Sequence, residues 1–111
     1  MVRRGDIWLV NLDPTLGHEI QKSRPAVIIQ NDIGNTFSSL TIVAHITSQG
    51  IEKVYPIEVL LKKNSGLMKE SKALLNQIRA VDKRRLIKKL GHVPEETMRD
   101  IDEALKMSLG L

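Results

Sequence analysis

The 111 residues include 17 Lys+Arg, 13 Asp+Glu and no Cys, with 41% hydrophobic and 3% aromatic residues. That length suits one domain over 1–111 with a modest core, and the composition excludes wholesale disorder, a disulfide frame, a thiolate metal site and a cysteine nucleophile. The net charge of +4 is concentrated: residues 62–93 hold ten Lys/Arg against two Asp/Glu, whereas 1–61 hold five against six and 94–111 two against five. A local excess of that size attracts polyanions, nucleic acid first among them, unless it is only a solvated face kept for solubility. The longest apolar runs, Ile7–Val10 and Ala26–Ile29, are four residues long. Neither a membrane span nor a signal-peptide core can be built from them, so a cytoplasmic protein is expected.

Asp6 to Asp13 reads as a strand, with Ile7, Leu9 and Asn11 on one face and Trp8, Val10 and Leu12 on the other. Asp13-Pro14 breaks it, and the polar stretch Thr15 to Ser23 reads as a loop. Arg24-Pro25 closes that loop, and Ala26 to Gln30 reads as a strand buried on both faces. Asn31 to Asn35 carries turn chemistry, and Leu40 to Ile46 is the next strand. A polar turn from Ser48 to Lys53 leads to a strand over Tyr55 to Val59, where Pro56 marks an edge or a strand start. Lys62 to Gly66 reads as a loop and Ala73 to Val81 as a strand. Lys83 to Leu86 reads as one helical turn, and Lys88 to Val93 as a short strand.

The period then changes. Pro94 suits the first helical position, and Glu95 and Glu96 fall in the first turn, where the helix dipole favours negative charge. Met98, Ile101, Leu105 and Leu109 recur at helical spacing. Closely spaced strands followed by one amphipathic helix predict a mainly β fold: a small, strongly bent barrel with a C-terminal helix packed across it.

Candidate chemistry is sparse. Asp6, Asp13, Glu19, Asp32, Glu52 and Glu58 are scattered, and His18, His45 and His92 lie far apart, so no metal site or cofactor is expected. No glycine-rich phosphate cradle is present either. What stands out is Lys22-Ser23-Arg24-Pro25. Pro25 holds Arg24 in extended geometry, and a planar guanidinium on a rigid base suits a phosphate or a charged transition state. The alternative is a surface ion pair with Glu19 or Asp32. Thr47, just after the strand Leu40–Ile46, offers a hydroxyl to the same phosphate or serves as a strand-end turn residue. Trp8, Phe37 and Tyr55 read as core residues rather than as stacking platforms. His45, inside an apolar strand, reads as structural.

Five segments form a recognisable series: Arg4-Gly-Asp-Ile-Trp, Leu16-Gly-His-Glu, Ser23-Arg-Pro-Ala-Val-Ile-Ile-Gln-Asn-Asp, Ile46-Thr-Ser-Gln and Leu75-Asn-Gln-Ile-Arg-Ala-Val-Asp-Lys-Arg-Arg-Leu. With them in this order, followed by the terminal helix, the chain closely resembles the MazF (PemK-like) toxins of type II toxin–antitoxin systems. The resemblance implies a small SH3-like barrel of the MazF/CcdB-like toxin fold. It also implies a homodimer and a metal-independent, sequence-specific endoribonuclease that cuts single-stranded RNA, chiefly mRNA. A MazE-like antitoxin is implied, with an extended segment that occupies the RNA groove.

Matched residue by residue, Arg24 and Thr47 take the catalytic positions and Gln77 lies close to the RNA. The loop from Pro14 to Ser23, with Leu16, His18, Glu19 and Lys22, takes the place of the loop that closes over substrate. Leu16 and His18 stand where relatives often place an aromatic or a small polar residue, so the recognised RNA sequence stays open. His18 is the candidate general base, because its ordinary pKa lies near neutrality. The alternatives are a CcdB-like gyrase poison that cuts nothing, and an inactive nucleic-acid-binding barrel. The only Trp, at position 8, counts against gyrase poisoning, an activity associated with a tryptophan near the C-terminus.

Overall fold

The computed structural model describes residues 1–12 and 23–111. Six strands form one antiparallel sheet: β1 (Asp6–Asn11), β2 (Ser23–Ile28), β3 (Leu40–Thr47), β4 (Glu58–Leu61), β5 (Ser71–Asp82) and β6 (Leu86–His92). Their order across the sheet is β4-β5-β3-β2-β1-β6. Two helices complete the fold, a short α1 (Asp32–Phe37) and a longer α2 (Glu95–Leu109). The sheet is strongly curled, as the close spacing of the strands predicts.

The two sheet faces bury separate clusters. Ile7, Val27, Ile46, Leu61 and Leu75 pack with Ile101 and Ala104 of α2. Val10, Ala26, Ile28, Val43 and Val81 form the second cluster, flanked by Trp8 and Leu86. The curl brings the two sheet ends together. Gly66, in left-handed geometry at φ 100° after a 3-10 turn at Lys63–Ser65, lies directly against Leu90 and Gly91 of β6. A Cβ on Gly66 would run into the Leu90 carbonyl, and one on Gly91 into the Ser65 carbonyl.

Several sequence expectations need correction. Asn31 to Asn35 is not a plain turn: Asn31 caps α1 by accepting the Gly34 N–H at 2.8 Å. The strand expected over Tyr55 to Val59 starts later, at Glu58. Tyr55 accepts the Glu58 N–H and donates its own N–H to the Glu58 carboxylate, making a tight turn instead. The loop expected over Lys62 to Gly66 contains the 3-10 turn at Lys63–Ser65. Ser23, Arg24 and Pro25 already belong to β2 rather than closing a loop.

The helix start and the aromatic residues also differ. Pro94 is the residue before the helix: its ψ of 155° is extended, and α2 begins at Glu95. Leu109 is exposed, so the stripe of α2 packed on the core ends with Leu105. Phe37 is 84% and Tyr55 49% exposed, because α1 and the turn before β4 hold them outside the barrel; only Trp8 packs against the core. The Tyr55 ring is covered instead by the ammonium groups of Lys53 and Lys72.

The Arg4-Gly-Asp segment is a structural fastener. Arg4 reaches Asp102 of α2 at 2.6 Å and the Ile29 carbonyl at 2.8 Å. Gly5, at φ 94°, donates to Ile28 and accepts from Val93, tying β2 to the residue after β6. Asp6 is fully buried. Burial opposes its ionisation, but His92 at 2.8 Å, the Arg3 N–H at 2.9 Å, the Trp8 indole and Lys89 outweigh that and hold its pKa below the ordinary 3.8.

Because the folded pKa is depressed, the stability Asp6 confers is complete above pH 3.8 and is lost as pH falls through the folded value. Asp6→Asn is therefore expected to destabilise the protein at neutral pH and to flatten its response to acid below that point. Circular dichroism during acid titration of both proteins measures this.

Candidate functional site

The strand ladder places Arg24 and Thr47 together. Ala26 pairs with His45 and Val27 with Ala44. Arg24 and Thr47 each lie two residues beyond the Ala26–His45 pair, and both line the same cleft. Pro25 explains why regular pairing stops first. Ile29 donates its N–H to Ile42 of β3 at 2.9 Å, so odd-numbered residues of β2 face β3, and Pro25 falls on that phase with no N–H to give. Pairing between β2 and β3 therefore ends at Ala26 and His45, while Arg24 stays paired with Val10 of β1 and Thr47 with Lys72 of β5.

Gln77 arrives by a different device. On β5, Leu74 pairs with His45 and Ile78 with Ala44, so residues 75–77 bulge out opposite a continuous stretch of β3. Leu75 anchors the bulge: its side chain is fully buried and its N–H donates to the Ile57 carbonyl at 3.1 Å. Asn76 and Gln77 are left exposed.

Arg24, Thr47 and Gln77 all line one open cleft of about 910 Å³, near the upper end of the range for ligand sites. Its apolar walls include Leu9, Leu67, Leu74 and Leu90. Lys69, Ser48 and Gln49 add polar groups, and no described lining residue is an aspartate or glutamate. Arg24 is exposed and forms no ion pair among the described residues. Asp32, once its possible partner, binds the Arg4 N–H and Asn35 instead. Thr47 Oγ1 accepts the Gln49 N–H at 3.1 Å, which orients the hydroxyl and leaves its proton available to an oxygen in the cleft.

His45 also lines this cleft, which corrects its reading as a structural side chain. Burial, and after it the positive charge of Arg79, lowers its pKa from 6.5, so the ring is neutral at pH 7. The missed signal was simple alternation: two residues before Thr47 on one strand, His45 shares its face. Leu16, His18, Glu19 and Lys22 lie outside the described residues.

The basic stretch 62–93 is partly committed to structure. Lys72 is buried and bound to Glu58 at 2.8 Å, Arg84 pairs with Asp82, and Lys89 with Asp6. Lys69 remains in the cleft wall, and Lys88 is exposed one strand beyond it, opposite Leu9. Among the described residues, no three His, Asp or Glu side chains gather into a set able to hold a metal ion. No described helix is long and apolar enough to cross a membrane. A second hollow, beside α2, is smaller at about 580 Å³, and the Arg4–Asp102 ion pair lies in its wall.

A curled antiparallel barrel whose open cleft offers a free guanidinium, a lysine and directed hydroxyl and amide groups defines a polyanion-handling β-barrel protein. The comparisons make this specific. Residues 3–109 match the family model described as the PemK-like, MazF-like toxin of type II toxin–antitoxin systems, and the chain belongs to that family. It is 45% identical over 112 residues to Endoribonuclease EndoA of Bacillus subtilis (strain 168), spanning the whole of this chain and 97% of that relative. Among solved structures, MazF (Form-I) from Deinococcus radiodurans superposes with a TM-score of 0.80 at 27% identity, over 99% of this chain and 97% of that one. A MazE–MazF complex (Form-II) from the same organism gives 0.75 at 26% identity, over 99% and 96%.

Proposed function

We propose that the chain is an endoribonuclease toxin that cuts single-stranded RNA, chiefly mRNA, by attack of the RNA's own 2′-hydroxyl, and that a MazE-like antitoxin neutralises it. The observation that carries this reading is the meeting of Arg24 and Thr47 at adjacent strand ends in a cleft without described carboxylates. It is supported by the 45% identity to a named endoribonuclease and by the likeness to a MazE–MazF complex.

RNA holds its nucleophile beside the phosphate, so the protein has three tasks: take the 2′-proton, stabilise the phosphorane, and let the 5′-oxygen leave protonated. Arg24 suits the second, because its fork stays charged and holds two oxygens at once. Thr47 donates to a third oxygen. Gln77 reads the RNA by hydrogen bonds, with Leu16, His18, Glu19 and Lys22 supplying further contacts. The products are a 2′,3′-cyclic phosphate, or its hydrolysed 3′-phosphate, and a 5′-hydroxyl.

The antitoxin presents an acidic segment to the same groove, since a surface that attracts phosphate attracts carboxylate. The reading includes a cytoplasmic homodimer. Ile33 and Phe37 of α1 hold large apolar side chains in solvent, and a second copy of the chain would cover such surface.

The test is incubation of the purified protein with mRNA in excess EDTA, followed by mapping of the new 5′-ends. Cleavage is expected to persist, to recur at one short sequence and to leave 5′-hydroxyl ends. An RNA carrying a 2′-deoxy nucleotide at the mapped position is expected to bind and stay intact. Activity lost in EDTA and restored by magnesium would overturn the mechanism, and gyrase-dependent DNA breaks without RNA cleavage would establish the CcdB-like alternative.

A further inference from the structure

Attack by a 2′-hydroxyl needs a base, and Arg24 and Thr47 do not supply one. A guanidinium has no lone pair to accept a proton at neutral pH, a lysine ammonium has none either, and a threonine hydroxyl is far too weak. The described cleft lining contains no aspartate or glutamate, and its titratable side chains are Arg24, Lys69 and His45. Among these described side chains, His45 alone has a neutral form that accepts a proton near physiological pH.

Its placement fits the task. His45 and Thr47 stand two residues apart on one strand, about 7 Å between their Cα atoms. Across on β2, Ala26 pairs with His45, and Arg24, two residues before Ala26, lines the same cleft as His45 and Thr47. The three functional side chains thus line one cleft beside a single strand pair, Ala26–His45. Among the described residues no hydrogen bond engages the imidazole, so its lone pair is open to the cleft.

Burial and the positive charge of Arg79 on β5 act on the ring, and Arg24 of β2 and Lys69, in the segment before β5, line the same cleft. Glu58 of β4, which lies beyond Leu74, is neutralised by Lys72. Burial first, and then Arg79, favours the unprotonated imidazole that a base must be.

We infer that His45 is the general base of this cleft, taking the 2′-proton while Arg24 and Thr47 hold the phosphate. The inference rests on the RNA-cutting reading above. The 2′-oxygen gives its proton to the imidazole and its electron pair to phosphorus, forming the cyclic phosphate. The P–O5′ bond breaks with its pair on O5′, which takes a proton from water, and the imidazolium returns its proton to the hydroxide left behind. No oxidant, metal or second substrate enters the balance.

The test uses the whole protein and an RNA oligonucleotide spanning a mapped cut site, under single-turnover conditions from pH 5 to 9. The wild-type rate is expected to rise with unit slope through a pKa below 6.5 and then level off. His45→Gln is expected to lose that acid limb and to slow cleavage by about 10²–10⁴-fold at pH 7.5. It should bind the uncleavable 2′-deoxy oligonucleotide within about twofold of wild type. Added imidazole is expected to restore part of the rate to His45→Ala, an effect no purely structural histidine produces.

A folded His45→Gln protein that keeps the acid limb or cleaves at near the wild-type rate overturns the assignment. So does an acid limb that vanishes in His18→Gln but survives in His45→Gln. If the position 45 variants fail to fold, an NMR titration of His45 in the wild type decides: a pKa unlike that of the kinetic limb overturns the role. A wild-type protein that cuts no RNA at all instead defeats the RNA-cutting reading itself.

Discussion

Arg24→Ala is expected to lower kcat by about 10²–10³-fold, or about 3–4 kcal/mol of transition-state stabilisation, the usual worth of a preorganised donor to developing charge. Affinity for the uncleavable 2′-deoxy RNA should change far less, because the guanidinium meets its full charge only in the phosphorane. Arg24→Lys keeps the charge but loses the planar fork, so it is expected to stay badly impaired. At the neighbouring strand end, Thr47→Ser should retain most activity and Thr47→Val should lose much of it, since valine keeps the shape and removes the hydroxyl. Arg24 is exposed and Thr47 only half-buried, so melting curves should match the wild type. A folded Arg24→Ala protein that cleaves RNA at near the wild-type rate would remove this cleft from the mechanism.

The largest stability effect is expected at the seam where the sheet ends meet. Gly91→Ala drives a methyl into the Ser65 carbonyl with backbone on both sides, where no rotamer gives relief. The cost is about 1–3 kcal/mol, as for other overpacked sites. Gly66→Ala meets the Leu90 carbonyl in the same way and adds about 1–2 kcal/mol of left-handed strain at its φ of 100°. Each kcal/mol lowers Tm by roughly 4–8 °C in a domain near this size. Thermal melting reads the loss directly. Gly66, Leu67 and Leu90 also line the cleft, so these variants should weaken RNA binding too. A Gly66→Ala protein with wild-type melting would mean that the seam is dispensable.

The strands and the terminal helix were legible because each announces itself locally. β-branched runs such as Leu40–Ile46 and Ala26–Gln30 fit a pleated, buried surface, and the apolar spacing from Met98 to Leu105 fits only a helix packed on one side. Elements held by a specific contact were not legible. Nothing in the composition of Asp32–Phe37 favours a helix; it forms because Asn31 caps it and because Asn35 is buried against Gln30 and Thr41.

The same division runs through the cleft. Arg24 stood out from its neighbour Pro25, and Thr47 and Gln77 from the family pattern, but their convergence depends on register. Pro25 ends one ladder and the bulge at residues 75–77 shifts another, and no glycine or proline marks that bulge. His45 was misjudged because an apolar strand suggests a dry environment. The end of that strand opens into the cleft, and alternation with Thr47 was the clue to its exposure.

The bulge on β5 separates two properties that proteins often couple. Arg24 and Thr47 sit on strands whose pairing holds the barrel together, so change near them is constrained by folding as well as by chemistry. Asn76 and Gln77 project from a segment that owes nothing to the ladder, with Leu75 alone securing it to the core. If Gln77 reads the RNA as proposed, substitutions at 76 and 77 are expected to leave both stability and cutting power largely untouched while altering which bases are accepted. On the proposed function, a lineage can drift to a new target sequence through those two positions while Arg24, Thr47 and the strand pairing that supports them stay unchanged.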